Sequence, residues 1–187
     1  MANGSYRRAH DLFHRRGFHA VGLDGILAEV GVTKTTFYNH FSSKDDLVAE
    51  VLRQHDRWWR DTFRERLKLR GGDSARAQLL AIFDVIGEMV QCGDYNGCYF
   101  INVAVQFPQP HDPAHLAAAQ HKQSMQDIVR EIAAYAGAPD PDRLAGELSL
   151  LMEGAYVTQQ IMRDPAKMNL AKELAGELIE RRLQPSS

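Results

Sequence analysis

The sequence predicts an all-α chain of about nine helices, and three observations lead there. Apolar residues recur at three- and four-residue spacings along nearly the whole chain. No segment alternates like a strand between hairpin turns. Glycines, prolines and small capping residues punctuate the helical pattern where helices must start or stop. At 187 residues and 44% apolar content the chain is long enough for a small module joined to a larger helical body.

The first helix carries Ala9, Leu12, Phe13 and Arg16, with Ser5 as the expected N-cap and Gly17 as its stop. A short second helix holds Ile26, Leu27 and Val30 and ends at Gly31. Thr33 caps a third, running to about His40, with Phe37 and Phe41 facing inward. Ser42-Ser43-Lys44-Asp45-Asp46 opens a long fourth helix over about 44–69, each serine having an aspartate three residues on, as in a capping box. Gly71-Gly72-Asp73 reads as a linker, and a fifth helix follows from Ser74 to about Gln91. Gly93 to Gly97 is turn chemistry, and a short apolar helix from Cys98 to Gln106 stops before Pro108. Asp112-Pro113 starts a helix that Gly137 ends; another covers about 142–163; Asp164-Pro165 starts the last, which reaches Leu183. The expected division is residues 1–46 as a helix-turn-helix domain and 47–187 as a regulatory and dimerisation domain, joined by the fourth helix.

Net charge is −2, but residues 1–44 carry +3 and the remainder −5, which suits a protein that meets phosphate with one end only. No run of about 18 apolar residues is present to span a bilayer, so no membrane partner is expected. The N-terminus lacks the apolar run of a secretory signal, and two cysteines are too few for a disulfide framework; the expected compartment is the cytoplasm. Nucleophile-elbow, phosphate-loop and HExxH motifs are all missing, so no enzyme and no cofactor are expected. His111, His115 and His121 read as loop and helix-surface residues rather than metal ligands, since His115 and His121 are six apart and lie on different helix faces. His55, Trp58 and Trp59 read as packing residues at the joint between domains.

The informative stretch runs from Gly17 to Lys44: a short helix, a glycine-containing turn and a second short helix. The second helix reads Thr33-Lys34-Thr35-Thr36-Phe37-Tyr38-Asn39-His40, dense in groups that donate to phosphates or base edges, with no acid between Val30 and Ser43. Such a helix fits a DNA major groove while Phe37 and Phe41 anchor it.

The run Leu12-Phe13…Gly17-Phe18…Ile26…Glu29 through Phe41, then Lys44-Asp45-Asp46-Leu47, resembles the N-terminal domain of TetR-type repressors. The resemblance covers about residues 5–52. Gly97-Cys98-Tyr99-Phe100-Ile101-Asn102 is similar to a segment of one subgroup of regulatory domains. The N-terminal resemblance implies that Thr33 meets the DNA backbone, that Lys34, Thr35 and Thr36 lie nearest base edges, and that Tyr38, His40 and Lys44 contact phosphates; Asn39 is also expected to touch DNA. The chain departs from the family pattern at Val21 and Gly22, where a capping Thr or Ser is usual, at Leu27, usually small, and at Thr35, usually glycine. The implied protein is a homodimeric repressor of a palindromic double-stranded operator, released by an unidentified small apolar or amphipathic effector. Expected pocket residues are Ile86, Met89, Val90, Phe100, Val103, Phe107, Met125, Met152 and Tyr156, with Asn102 and His121 as polar contacts. Expected dimer residues, on the last two helices, are Leu148, Met152, Leu174 and Leu178. Two alternatives stand beside this: a DNA-binding dimer with no effector, and a redox or electrophile sensor built on Cys92 and Cys98, although no Lys, Arg or His lies between those cysteines.

Overall fold

The computed structural model describes residues 3–90 and 97–184, and among these every regular element is a helix. In order they are α1 (Asn3–Arg16), α2 (Leu23–Val30), α3 (Lys34–Tyr38), α4 (Lys44–Gly71), α5 (Ala75–Leu80), α6 (Ile82–Val90), α7 (Tyr99–Gln106), α8 (Pro113–Tyr135), α9 (Pro141–Met162) and α10 (Pro165–Leu183). Only Ala81 separates α5 from α6, so the pair stands where one helix is expected. The expected turn at residues 93–96 and Cys92 lie outside the described residues.

Local capping chemistry sets most boundaries. Gly17 and Gly31 take left-handed conformations at φ 81° and 77° and close α1 and α2. Ser43 Oγ accepts from the Asp46 amide at 3.1 Å, while Asp46 Oδ2 accepts from the Ser42 amide at 3.1 Å, completing the capping box at the head of α4. Asp140 and Asp164 cap α9 and α10 through the amides of Arg143 and Ala166, each ahead of a proline at the first helical position. One expectation is corrected. Ser5 is not a cap: α1 begins at Asn3, which leaves Ser5 inside the helix and buried. Gly22 stands at the N-cap of α2 with no side-chain bond, as its lack of a hydroxyl requires.

The packing groups the chain differently from the expected 1–46 and 47–187. One compact unit comprises residues 1–59 and 99–121, the other 60–98 and 122–187. Aromatic contacts account for the first. Phe18 stacks on Phe13 at 5.1 Å and meets the edges of Tyr99 at 5.3 Å and Phe107 at 5.9 Å, so α7 closes over the α1–α2 turn. Gln106 fastens the same place: its Oε1 accepts from the Phe18 amide at 2.8 Å, and its carbonyl meets His19 Nε2 at 2.7 Å. Phe37 is fully buried and contacts Phe41 at 5.5 Å, which ties α3 to the head of α4.

In the second unit α10 packs along α9, α6 and α5. Leu144, Leu148, Met152 and Ala155 of α9 and Met168, Ala171, Ala175 and Ile179 of α10 turn into this core. Ion pairs flank it: Arg182 with Glu147, Arg76 with Glu180, and Lys172 with Asp84 at 2.7 Å. Arg182 holds the Glu147 carboxyl below its usual range.

Gly31 offers a clean test of the backbone argument. Nothing lies within 4 Å of a Cβ built there, so Gly31→Ala adds only the strain of a left-handed alanine. The expected outcome is about 1 kcal/mol of lost stability, read as a lower urea midpoint with an unchanged denaturant slope.

Candidate nucleic-acid interface

The α2–turn–α3 module presents one face. Thr33 Oγ1 accepts from the Thr36 amide at 3.1 Å and lies 3.0 Å from Thr36 Oγ1, so the expected cap of α3 is made. Asn39 closes the other end, its amide donating to the Thr35 carbonyl. Between these caps only Phe37 turns inward. Thr33, Lys34, Thr35, Tyr38, Asn39 and His40 are exposed and Thr36 is half-buried. Tyr38, 58% exposed, leans its ring edge on Phe37 at 5.2 Å. An aromatic ring held in water beside threonines is what a binding face looks like, since a solvated helix face gains nothing from it.

Charge is arranged around that face. Lys34 Nζ sits 2.9 Å from Asp24 Oδ1 of α2, and this hydrogen bond raises the lysine pKa. A pair so exposed is weak in water and yields to a better anion. Lys44 is half-buried in the first turn of α4, where the helix N-terminus adds positive potential that Asp45 and Asp46 partly offset. Arg8 of α1 donates to the Val30 carbonyl at 2.7 Å and so holds the last turn of α2. The sequence singled out none of Asp24, Arg8 and Gln106 for these contacts, because each partner lies 10 to 88 residues away.

The expected effector residues fall in both units. Ile86, Met89, Val90, Met125, Met152 and Tyr156 are buried in the second; Phe100, Val103, Phe107 and His121 are buried in the first, with Asn102 half-buried there. His121 already has partners within the first unit. Its Nδ1 lies 2.8 Å from Asp56 Oδ1 and its ring stacks on Phe100 at 3.6 Å, so the imidazole is already engaged. His115 likewise meets the Phe107 carbonyl at 2.8 Å.

The expected dimer residues also divide. Leu148 and Met152 are sealed in the protomer's own core and have no surface left for a partner. Leu174 is 45% exposed and Leu178 half-buried. Leu150, Val157 and Ile161 line a second, outward face of α9, as Leu170 and Leu174 do on α10. One lysine was out of reach of sequence spacing. Lys122 Nζ of α8 donates to Cys98 Sγ at 3.4 Å, binds both Glu153 oxygens at 2.8 Å and stands 5.4 Å above the Tyr156 ring.

The comparisons agree with this arrangement. A family model described as "Bacterial regulatory proteins, tetR family" matches residues 6–51, and one described as "Tetracyclin repressor-like, C-terminal domain" matches residues 75–175. The chain is 29% identical over 168 residues to the HTH-type transcriptional regulator YjdC of Escherichia coli K12, covering 90% of this chain and 87% of YjdC. Among solved structures it is similar to SCO4454, a TetR-family transcriptional regulator from Streptomyces coelicolor, at TM-score 0.86 and 28% identity over 96% of this chain and 94% of that one. The reduced form of E. coli NemR shares the fold at TM-score 0.83 and 20% identity, over 93% of this chain and 94% of that one.

The Thr33 cap has a local readout. Thr33→Ala should remove about 1 kcal/mol from α3 and speed hydrogen exchange at the Thr36 amide by roughly fivefold or more; Thr33→Ser, which keeps the hydroxyl, should leave that rate nearly unchanged.

Proposed function

The chain belongs to the tetR family of bacterial regulatory proteins, and from that premise we propose that it is a homodimeric repressor released from a two-fold symmetric operator by a small apolar or amphipathic ligand. It is a DNA-binding transcriptional regulator and not an enzyme. The observation that carries the reading is the α3 face: six exposed polar or aromatic residues on this five-residue helix and its flanks, around one buried anchor, Phe37.

On this reading α3 lies in the major groove. Lys34, Thr35 and Thr36 approach base edges with Asn39, Thr33 faces the backbone, and Tyr38, His40 and Lys44 contact phosphates. Lys34 exchanges Asp24 for the DNA. In a dimer the two copies of α3 stand about 34–36 Å apart, or at a multiple of that spacing.

The outward stripes of α9 and α10 support the dimer. Leu150, Gly154, Val157 and Ile161 recur at helical spacing on one face, and Leu170, Leu174 and Leu178 on another. Water should not wet such stripes on a monomer, whereas a four-helix bundle about a two-fold axis covers both. The ligand reading rests on the methionine-rich apolar residues of the second unit, Met89, Met125 and Met152 with Ile86, Val90 and Tyr156, beside the Lys122–Glu153 pair. The apolar residues of the first unit, Phe100, Val103 and Phe107, serve its core on this reading. Coupling of about 1–3 kcal/mol between ligand and operator is typical. Because α4 is continuous from Lys44 to Gly71, it offers a covalent path for it.

A second reading, a thiol-based sensor at Cys98, has one observation in its favour, the Lys122 ammonium at the sulfur. A cation beside a partly exposed cysteine marks the surroundings of reactive thiols, and the Glu153 carboxylate on the same lysine weakens the argument.

Three outcomes test these readings. Lys44→Ala should weaken binding to every duplex alike and lower the salt slope by about 1, whereas Thr36→Ala should also change base preference; anisotropy titrations across salt and sequence measure both. Ile161→Glu with Leu174→Glu should shift the sedimenting species from dimer to monomer at micromolar concentration. Calorimetry should show an inducing ligand bound more tightly by the DNA-free dimer than by the operator complex; equal affinities favour the effector-free regulator, and release by peroxide that Cys98→Ser abolishes favours the thiol sensor.

A further inference from the structure

The first unit contains a cluster of polar rings that DNA binding does not use. His10 of α1 stacks on His55 of α4 at 4.4 Å and meets Tyr99 of α7 at 4.4 Å. His14, one turn along α1, lies 5.4 Å from Tyr99, and His55 lies 5.5 Å from Phe100. Apolar side chains at these positions would fill the same space at no polar cost.

The hydrogen bonding within the cluster is incomplete. His10 Nδ1 lies 3.0 Å from Asp11 Oδ1, a bond that requires the proton on Nδ1. Nε2 then carries a bare lone pair, and this atom is buried without a hydrogen-bond partner, as is the Tyr99 hydroxyl. Protonating His10 would place an N–H at a sealed position that has no acceptor.

The charged groups around the pair do not rescue the cation. On α1 these are Arg7, His14 and Asp11; Asp11 already occupies Nδ1. On α4 the neighbour is Asp56, which is held by His121 of α8 at 2.8 Å. On α7 it is Tyr99, which burial, and then Asp11, keeps protonated well above the usual tyrosine range. Burial pushes the His10 imidazole below its usual pKa, with His14 and Arg7 adding to the shift and Asp11 opposing it. Burial, then His10, His121 and His14, push His55 well below, with Asp56 opposing.

We propose that the stacked His10–His55 pair, closed by Tyr99, is a proton-operated latch: proton uptake in the cluster undocks α1 from α4 and α7 and lowers affinity for DNA. Contacts of α1 link it to the α2–α3 module. Arg8 holds the end of α2 at Val30, Tyr6 packs edge-on against Phe41 at 6.5 Å, and Ala9, Leu12 and Phe13 are core residues. When α1 loosens, α2 and α3 lose the surface that orients them.

The sign follows from linkage. The docked state keeps both imidazoles neutral, while the undocked state restores them to about 6.5. Below that pH the undocked state binds more protons, so docking is intact above it and is lost as pH falls, by up to about tenfold per pH unit for each proton taken up. Acidification in general makes a protein more positive and strengthens its attraction to phosphate. A fall in DNA affinity on acidification is therefore opposite to ordinary electrostatics.

The test uses the full chain and a labelled duplex selected from a random pool at about pH 7.5, titrated at fixed ionic strength at about pH 7.5 and about pH 5.5. The expected result is an affinity loss of roughly tenfold or more at the lower pH, together with faster hydrogen exchange in α1 than in α9 and α10. His55→Phe, which keeps a stacking ring and cannot take a proton, should lose less affinity than the wild type over the same pH change. His10→Phe serves the same purpose should circular dichroism show His55→Phe unfolded. Wild-type affinity that is flat or rises with acid overturns the latch, as does an equal loss in the folded ring variant or exchange that accelerates uniformly through both units. Failure to select any duplex would count against the DNA-binding reading, and the α1 exchange profile would still decide the latch.

Discussion

Burial of one side chain, Phe37, is the constraint on which the exposed face of α3 depends. Helix α3 has five residues, too few to persist alone in water. Its orientation comes from a ring with no solvent exposure at its centre, a threonine cap at one end and the Phe41 contact that leads into α4. Removing a buried phenylalanine typically costs about 3–5 kcal/mol, several times the worth of the cap. With the ring as anchor, the exposed side chains of Thr35, Tyr38 and His40 are not needed to hold α3 in place and are available for the proposed DNA contact.

Helix α4 extends this anchoring. Leu47, Val48, Val51 and Leu52 are buried in its first half, Phe63 and Leu67 in its second, so one helix contributes core residues to each unit. Ion pairs along its second half, Arg64 with Glu131 at 2.9 Å and Arg66 with Glu88 at 3.3 Å, are half-exposed and contribute little stability. They fix which faces meet more than how strongly.

The polar rings of the first unit cost stability. A bare imidazole nitrogen and an unbonded phenol in a packed interior are each unfavourable relative to an apolar residue of similar shape. The Phe13–Phe18 stack and the buried Ala9 and Leu12 of the same helix supply stability that lets α1 carry that cost at neutral pH. The same cost makes the cluster responsive, because stability near balance is what a proton can tip.

The sequence alone determined the helical class, the caps at Thr33, Ser43 and Asp164, the stops at Gly17 and Gly31, and the polar face of α3 around Phe37. Each rests on contacts within about four residues along the chain, where identity and spacing define the geometry. Ser5 failed as a cap because nothing local distinguishes a hydroxyl before a helix from one in its first turn. Tertiary structure decided what depends on partners far apart in sequence. Helices α9 and α10 each carry two apolar stripes, and periodicity cannot say which one turns inward; packing chose Leu148 and Met152 for the core and left Leu150, Ile161 and Leu174 outside. Packing also brought Lys122 to Cys98 over 24 residues, Gln106 to Phe18 over 88, and three histidines and a tyrosine from α1, α4 and α7 into one cluster. Such meetings depend on the shape of the whole core, in which each side chain's place is set by all the others at near-crystalline density.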